Sequence, residues 1–461
     1  MSADPASFRD PSGRVYLQNG RVFRTVSETA VADFEFARAS EALKRLVAAG
    51  GVIESREVAA NDLDAPRTKA ARVVEHPRLP FISYPYEWSF SLLKAAALHH
   101  LDLQIALLQG GVALSDATAY NVQFIGPRPI FIDPLSFVAY RDGDYWRAHR
   151  QFCDQFLNPL LMHALLGVPH NDWYRGSLEG IPTPTLARLI PPHKKLSWNV
   201  YAQVVLPAQL QTRDGSLERA SAASARPLPK TAYLGMLTGL RGWIATMRPK
   251  GAAKTVWADY ATSHSYDAQE HEAKHRFVGA FAAKARPRLL WDLGCNTGEY
   301  SERALTSGAK SVIGFDFDQG ALEGAYARAV DRKLEFLPLF QDASNPSPGQ
   351  GWDGEERAGI LRRNGDVDAF IALAVIHHIA IGRNVPLDRV VDFLTSLAPK
   401  GVIEFVPKED PMVKRLLALR QDIFPDYTLD GFRALLARKA RIEAAETITD
   451  AGRVLFTFDR T

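Results

Sequence analysis

Cysteine is scarce in this chain: Cys153 and Cys295 are the only two. A disulfide framework and a four-cysteine zinc site are therefore both excluded. Long apolar runs are missing as well. The most hydrophobic helical stretch, 92–108, is interrupted by Lys94, His99, His100 and Asp102, so it does not read as a membrane span. The opening MSADPASFRD lacks the apolar centre of a signal peptide, and a cytoplasmic location is expected. A charge excess is also absent. Lys and Arg number 55 against 52 Asp and Glu, and the resulting +3 is too small to argue for a nucleic-acid partner. What the chain does have is length. Its 461 residues suffice for two or three domains, each with a sizeable core.

The most informative stretch is 288–318, RLLWDLGCNTGEYSERALTSGAKSVIGFDFD. Leu289, Leu290 and Trp291 form a short apolar run, the pattern of a buried strand in a parallel sheet. Gly294 and Gly298 bracket a turn from which a helix starts near Glu299. Without a Cβ, each glycine allows backbone to approach a ligand closely. A second strand, 311–315, delivers Asp316 about 20 residues beyond the glycines, where a ribose-binding acid sits in nucleotide-binding βαβ units. The spacing is Asp-x-Gly-x-x-x-Gly (Asp292, Gly294, Gly298) and not G-x-G-x-x-G. Asp292 would repel a diphosphate and attract a cationic amino-acid group. The stretch resembles motif I of the class I S-adenosylmethionine (SAM) methyltransferases. That resemblance implies SAM as cofactor, with Asp292, Gly294, Asn296 and Gly298 at its methionine part and Asp316 at its ribose.

Later elements continue the alternation of strand and helix. A helix over 319–330 and a third strand over 334–338 lead to Gln341 and Asp342; in the methyltransferase family an acid there accepts a hydrogen bond from the adenine amino group. A Pro/Gly/Asp-rich insertion, 344–366, is long enough to be a lid or a surface excursion. The fourth strand, 368–373, runs into Ala374-Val375-Ile376-His377-His378. In open α/β sheets chemistry lies beyond the carboxyl ends of the strands. The Asp/Asn-Pro-Pro-aromatic tetrapeptide of nucleic-acid amino-methyltransferases is absent there, as is a Pro-Cys nucleophile. His377 or His378 instead offers a base suited to a hydroxyl proton, or else caps and packs the helix that follows. A helix over 387–397, a fifth strand over 402–406, helices over 412–422 and 429–439, and two strands over 442–448 and 453–458 complete the expected domain. The expected fold is α/β, a Rossmann-like parallel sheet with an antiparallel closing pair, over 286–461.

The amino-terminal half reads differently. RVYLQNGRVFRT alternates around Asn19-Gly20, a strong hairpin signal. A helix over 31–49, strand over 71–83 and a long helix over 88–108 suggest an α+β, two-lobed domain over 1–210. Within it, VALSDATAYNVQFIGPRPIFIDPLSF places Asn121 five positions after Asp116, followed by a hairpin that ends at Asp133. This segment resembles the catalytic loop and metal-binding segment of protein-kinase-like small-molecule phosphotransferases. The resemblance implies Asp116 as base and Asn121 and Asp133 as magnesium ligands on ATP. Leu114 stands where the catalytic-loop His is usual, Pro134-Leu135 replace Phe-Gly, and no glycine-rich loop precedes Arg24. Arg24 is the nearest match to the nucleotide-holding Lys, with Glu35 or Glu41 as its helix partner. The domain either phosphorylates an acceptor or serves to bind and position one. His99, His100, His149, His163 and His170 lack metal-ligand spacing and read as surface or packing residues.

Between the halves, 211–230 is rich in Ala, Ser, Arg and Pro and reads as a linker. The stretch 231–285 reads as approach or cap helices, with 234–247 capping the domain that follows. Tyr260, Tyr266 and Lys274 are candidates to close over the cofactor, and Lys274 is available to its methionine carboxylate. Taken together, DLGCNTGEYS, LAVIHHI, IEFVPKEDPMVKRLL, DIFPDY and SYPYEWSFSLLKAA resemble the NoeA-like nodulation-protein group of methyltransferases over nearly the full chain. The resemblance implies methylation of a small-molecule or carbohydrate acceptor; composition and hydropathy add no strong nucleic-acid signal and no membrane span. Two rival readings remain: a bifunctional kinase and methyltransferase, and a SAM-binding scaffold without activity.

Overall fold

The computed structural model describes residues 2–64, 70–211, 227–251, 268–418 and 420–461. The chain forms two compact units. The first comprises Met1–Phe124, Arg128–Gly251 and Gln350–Arg357, and the second Ile125–Pro127, Ala252–Gly349 and Ala358–Thr461. The division thus falls beyond the 211–230 stretch, of which 212–226 lie outside the described residues.

In the first unit, β1 (Ser2–Ala3), β2 (Val15–Gln18), β3 (Arg21–Ser27), β4 (Arg56–Val58) and β5 (Ala70–His76) form an antiparallel sheet in the order β1-β2-β3-β5-β4. The β2–β3 turn is Asn19-Gly20, with both φ angles positive (52° and 76°) as a two-residue hairpin of this kind requires. The expected helix over 31–49 is two helices, α1 (Val31–Ala39) and α2 (Glu41–Ala48), because Ser40 is extended (ψ 129°). A long helix, α3 (Phe90–Gln109), is capped by the Ser89 hydroxyl. Two short antiparallel pairs follow it: β6 (Val112–Leu114) with β9 (Phe137–Ala139), and β7 (Val122–Ile125) with β8 (Arg128–Phe131). Helical turns cover much of 149–211.

Helix α4 (Lys230–Thr246) belongs to this first unit and packs on α3. Gln104 donates to the Tyr233 hydroxyl at 2.9 Å, and Arg241 meets Asp102 at 2.6 Å. The expectation that 234–247 caps the following domain is corrected by this packing: its buried side chains Tyr233, Leu237, Leu240 and Ile244 turn toward the first unit's own core.

The second unit opens with α5 (Ala268–Ala285) and then alternates β10 (Leu289–Leu293), α6 (Glu299–Thr306), β11 (Ser311–Asp316), α7 (Gln319–Asp331), β12 (Phe336–Phe340), β13 (Ala369–Ala372), α8 (Ile376–Ala380), α9 (Leu387–Leu397) and β14 (Lys400–Phe405). It closes with α10 (Pro411–Leu417), α11 (Leu429–Lys439), β15 (Arg441–Thr447) and β16 (Val454–Asp459). The seven strands lie in the order β12-β11-β10-β13-β14-β16-β15. The first five are parallel, and β16 and β15 form the antiparallel closing pair. All five residues of β10 and all four of β13 are buried, as expected of strands covered on both faces. The core joins Val278 of α5, Leu322 of α7 and the sheet residues Leu290, Val312, Phe336, Ile371 and Val402. Each such side chain contributes about 1.5–3 kcal/mol by leaving water.

Strand β12 starts two residues later than its apolar run suggests. Lys333 takes φ 52° and the Leu334 N–H bonds Ala329 O, so both residues finish α7 before the strand begins. The 344–366 insertion contains two 3-10 turns, Trp352–Gly354 and Ile360–Arg362, and its residues Gln350–Arg357 group with the first unit. Among the described residues, no helix is long and apolar enough to cross a membrane.

Candidate active site

Strands β10, β11, β12 and β13 end at one cavity of about 920 Å³ in the second unit. Asp292, the fourth of the five residues of β10, is 2% exposed and accepts the Ser301 hydroxyl at 2.5 Å. Burial pushes its carboxyl up to about 7; Ser301 opposes the shift and the Asp316 charge adds to it. Beyond Asp292 the chain turns through Gly294 (φ 73°) and Gly298 (φ 80°). A Cβ on Gly298 would sit 2.3 Å from the Phe336 ring, so the turn can pass over β12 only as glycine.

This turn delivers the Asn296 N–H to Asp316 Oδ2 at 2.9 Å, while the Asp318 N–H reaches Asp316 Oδ1 at 2.9 Å. Burial pushes Asp316 up to about 6, with those backbone donors opposing. The Asn296 Oδ1 is buried without a hydrogen-bond partner, as is Gln341 Nε2 beyond the end of β12. Asp342 follows; its Oδ1 accepts from Ser344 N–H and Oγ (2.8 and 2.6 Å), and its Oδ2 lies 3.6 Å from Arg383. Gly294, Asn296, Asp316, Gln341 and Asp342 all line the cavity.

The turn after β13 holds Ala374 at φ 53°, an uncommon conformation for a residue with a side chain, and starts α8 beneath it. His377 and His378 both line the cavity, their ring centroids 4.1 Å apart. His377 is 1% exposed and neither of its ring nitrogens has a hydrogen-bond partner. Burial drives its pKa well below the ordinary imidazole value, helped by His378, Arg453 and Lys274. Burial and then Arg453 lower His378 to about 4. Both rings are therefore neutral at pH 7, and the unpartnered His377 has a lone pair available to accept a proton.

Lys274 lines the same cavity, but its ammonium is held by Glu404 at 3.0 Å and Glu270 at 3.2 Å. Arg453 joins them, meeting Glu404 at 3.2 Å and Asp410 at 2.7 Å. Two cations and three acids thus share a dry network at the end of β14. The expected partner for Lys274 was a ligand carboxylate; the structure gives it two protein carboxylates. Tyr260 and Tyr266 lie outside the described residues.

No family model matches the chain. Nodulation protein NoeA of Rhizobium meliloti (strain 1021) is 46% identical over 456 residues, covering 98% of this chain and 95% of that protein. The chain belongs to the NoeA family. Solved structures are similar at low scores. The PH0226 protein of Pyrococcus horikoshii OT3 is 16% identical with a TM-score of 0.33, covering 45% of this chain and 99% of that one. Magnesium protoporphyrin IX methyltransferase (ChlM) of Synechocystis PCC 6803 with bound SAM is 17% identical with a TM-score of 0.32, covering 46% and 95%. The bifunctional kinase-methyltransferase WbdD is 18% identical with a TM-score of 0.30, covering 48% and 46%.

The NoeA-family chain also brings Asp116, Asn121 and Asp133 together, within the first unit. The Asn121 amide donates to Asp116 at 3.3 Å and to Asp133 at 3.1 Å, and the Ser136 hydroxyl reaches Asp116 at 2.9 Å and Asp133 at 2.5 Å. Arg24 bonds Asp133 at 2.7 Å and Asp10 at 2.6 Å, while the Leu135 N–H takes Asp133 Oδ1 at 3.1 Å. These donors do not fit a magnesium–ATP site, since a guanidinium and a hydroxyl already occupy the carboxylate oxygens a cation would need. Glu35 and Glu41 are not Arg24's partners: Glu35 faces Arg38 and Arg72, and Glu41 faces Lys44. His100 and His170 are fully buried packing residues, as read.

Sequence reasoning missed Arg453, whose pairing with Glu404 across 49 positions has no local signature. It also missed His271, His275 and Glu299 on α5 and α6, of which His271 and Glu299 line the cavity. His271 Nε2 and His275 Nε2 lie 2.8 and 2.9 Å from the same Glu299 oxygen. The first two stand in HEAKH, a spacing legible in the sequence.

Proposed function

We propose that this NoeA-family protein is a SAM-dependent methyltransferase that acts on a hydroxyl of a small-molecule or carbohydrate acceptor. The observation that carries the reading is the convergence of successive strand ends on one cavity. A left-handed glycine turn, Asp316 and Asp342 arrive there beside an unpartnered, neutral His377. Asp292, Gly294, Asn296 and Gly298 would hold the methionine part, Asp316 the ribose hydroxyls and Asp342 the adenine amino group. When bound, SAM supplies an electrophilic methyl group. The chain's own work is to exclude water, align the acceptor oxygen for in-line attack and take its proton on His377 or His378. A buried imidazole is a weak base, so the proton leaves the hydroxyl as the new O–C bond forms rather than before it.

For the first unit we propose a non-catalytic role in acceptor binding or positioning. Arg24 and Ser136 closing the acidic cluster support this over phosphoryl transfer. The test is S-adenosylhomocysteine formation against a panel of hydroxylated sugars, simple alcohols and amines. Hydroxyl-dependent turnover that disappears in Asp316→Ala is the expected result. Turnover with amines alone, or none with any acceptor by a protein that binds SAM, overturns the hydroxyl assignment.

A further inference from the structure

We propose that His271, His275 and Glu299 form a binding site for a zinc-class divalent metal ion at the edge of the cavity. His271 and His275 stand one helical turn apart on α5, so both imidazoles project from one face. Glu299, the first residue of α6, comes from the other side, fixed by the left-handed Gly298 that precedes it. One donor atom from each of the three lies within 4.8 Å of the others. A tetrahedral zinc with bonds of about 2.0–2.2 Å would place its ligand atoms roughly 3.3 Å apart. The two nitrogens lie 2.8 and 2.9 Å from the carboxylate oxygen, so each need move apart from it by only about half an ångström to admit an ion between them.

Two imidazoles and one carboxylate favour zinc over magnesium, which prefers oxygen donors and retained waters. Three protein ligands leave a fourth position, and since His271 and Glu299 line the cavity, that position is open to water or to a ligand oxygen entering it. All three side chains are partly exposed, so an ion can reach them. Nothing in this site depends on the methyltransferase reading, because the metal alone is its ligand.

The experiment is titration of the full-length, chelator-stripped protein with zinc by calorimetry and with cobalt by visible absorption. The expected outcome is one equivalent of either ion and the d–d bands of a four- or five-coordinate nitrogen/oxygen site. Replacing both histidines (His271→Ala with His275→Ala) should weaken zinc binding by at least ~100-fold, beyond the 10–100-fold of outer-shell changes. Glu299→Gln supplies an independent test should the double variant not fold, and the exposed His193→Ala should bind like the parent. Absence of stoichiometric uptake by the parent overturns the proposal. So does uptake unchanged in both the double-histidine and Glu299→Gln variants, which would leave the three residues as a hydrogen-bonded clip between α5 and α6.

Discussion

Each unit gathers carboxylates at the ends of its strands, and the two clusters differ in what faces them. In the first unit, Asp116 and Asp133 are met by the Asn121 amide, the Ser136 hydroxyl and the Arg24 guanidinium. In the second, Asp292 and Asp316 meet one hydroxyl and two backbone N–H groups beside a cavity of about 920 Å³. Burial raises the pKa of Asp116 and Asp292 to about 7 each, so proton affinity alone does not tell the clusters apart. The difference is what faces them. Asp133 is met by a protein cation, Arg24, whereas Asp316 is met by backbone N–H groups and lines the cavity beside the orphaned Asn296 Oδ1 and Gln341 Nε2.

The largest expected effect is on the ligand-facing side. His377→Asn should lower the methyl-transfer rate by about 10²–10⁴ with S-adenosylhomocysteine affinity unchanged, measured by single turnover. An unchanged rate would transfer the role to His378, for which the same substitution is the check. Next, Asp316→Ala should weaken S-adenosylhomocysteine binding by roughly 100-fold, the scale of losing two charge-assisted hydrogen bonds of about 1.5 kcal/mol each, the lower end of their range. The same substitution at Asp133 should leave that affinity where it is.

The comparison is sharpened by pH. Ligand hydroxyls and an ammonium group favour the ionised carboxylates, so affinity should rise with pH through about 6 for Asp316 and about 7 for Asp292 and then level. In Asp316→Asn only the upper step should persist. Calorimetry between pH 5 and 8 decides it, and a pH-independent affinity would contradict the assignment.

On the closed side the effects concern stability. Arg24→Met leaves the partly buried Asp10 and Asp133 without their cation and should cost about 1–3 kcal/mol, read by denaturant unfolding, with ATP still unbound. At Asp116 the effect is one of pH. Its carboxyl holds a proton up to about 7 when folded and loses it near the ordinary carboxylate value when unfolded. The folded state then binds more protons between those limits, so this residue's contribution to stability falls as pH rises from about 4 to 7. Asp116→Asn should remove that slope, giving a higher Tm relative to the parent at pH 8 than at pH 5.

The sequence disclosed what is local. Asp292, Gly294, Gly298 and Asp316 are legible because one βαβ unit fixes their spacing, and the apolar runs of β10 and β13 announce strands covered on both faces. The Asn19-Gly20 hairpin and the helix over 387–397 were readable for the same reason. Tertiary partners were not. Nothing near Lys274 indicates that Glu404 will hold its ammonium, and the kinase-like reading that put Arg24 and Asp133 in one site gave Arg24 a different partner. Motif spacing shows which acids come together, but only packing shows whether a protein cation already answers them. The HEAKH spacing was legible, whereas its third ligand, Glu299, required the fold.

The most direct measurement is calorimetric titration of the full-length protein with S-adenosylhomocysteine and, separately, with magnesium and ATP. Stoichiometric binding of S-adenosylhomocysteine, lost in Asp316→Ala, with no heat from magnesium–ATP, is the predicted result. Failure to bind S-adenosylhomocysteine would contradict the assignment of the open cavity, and an ATP signal that vanishes in Asp133→Ala would contradict that of the closed cluster.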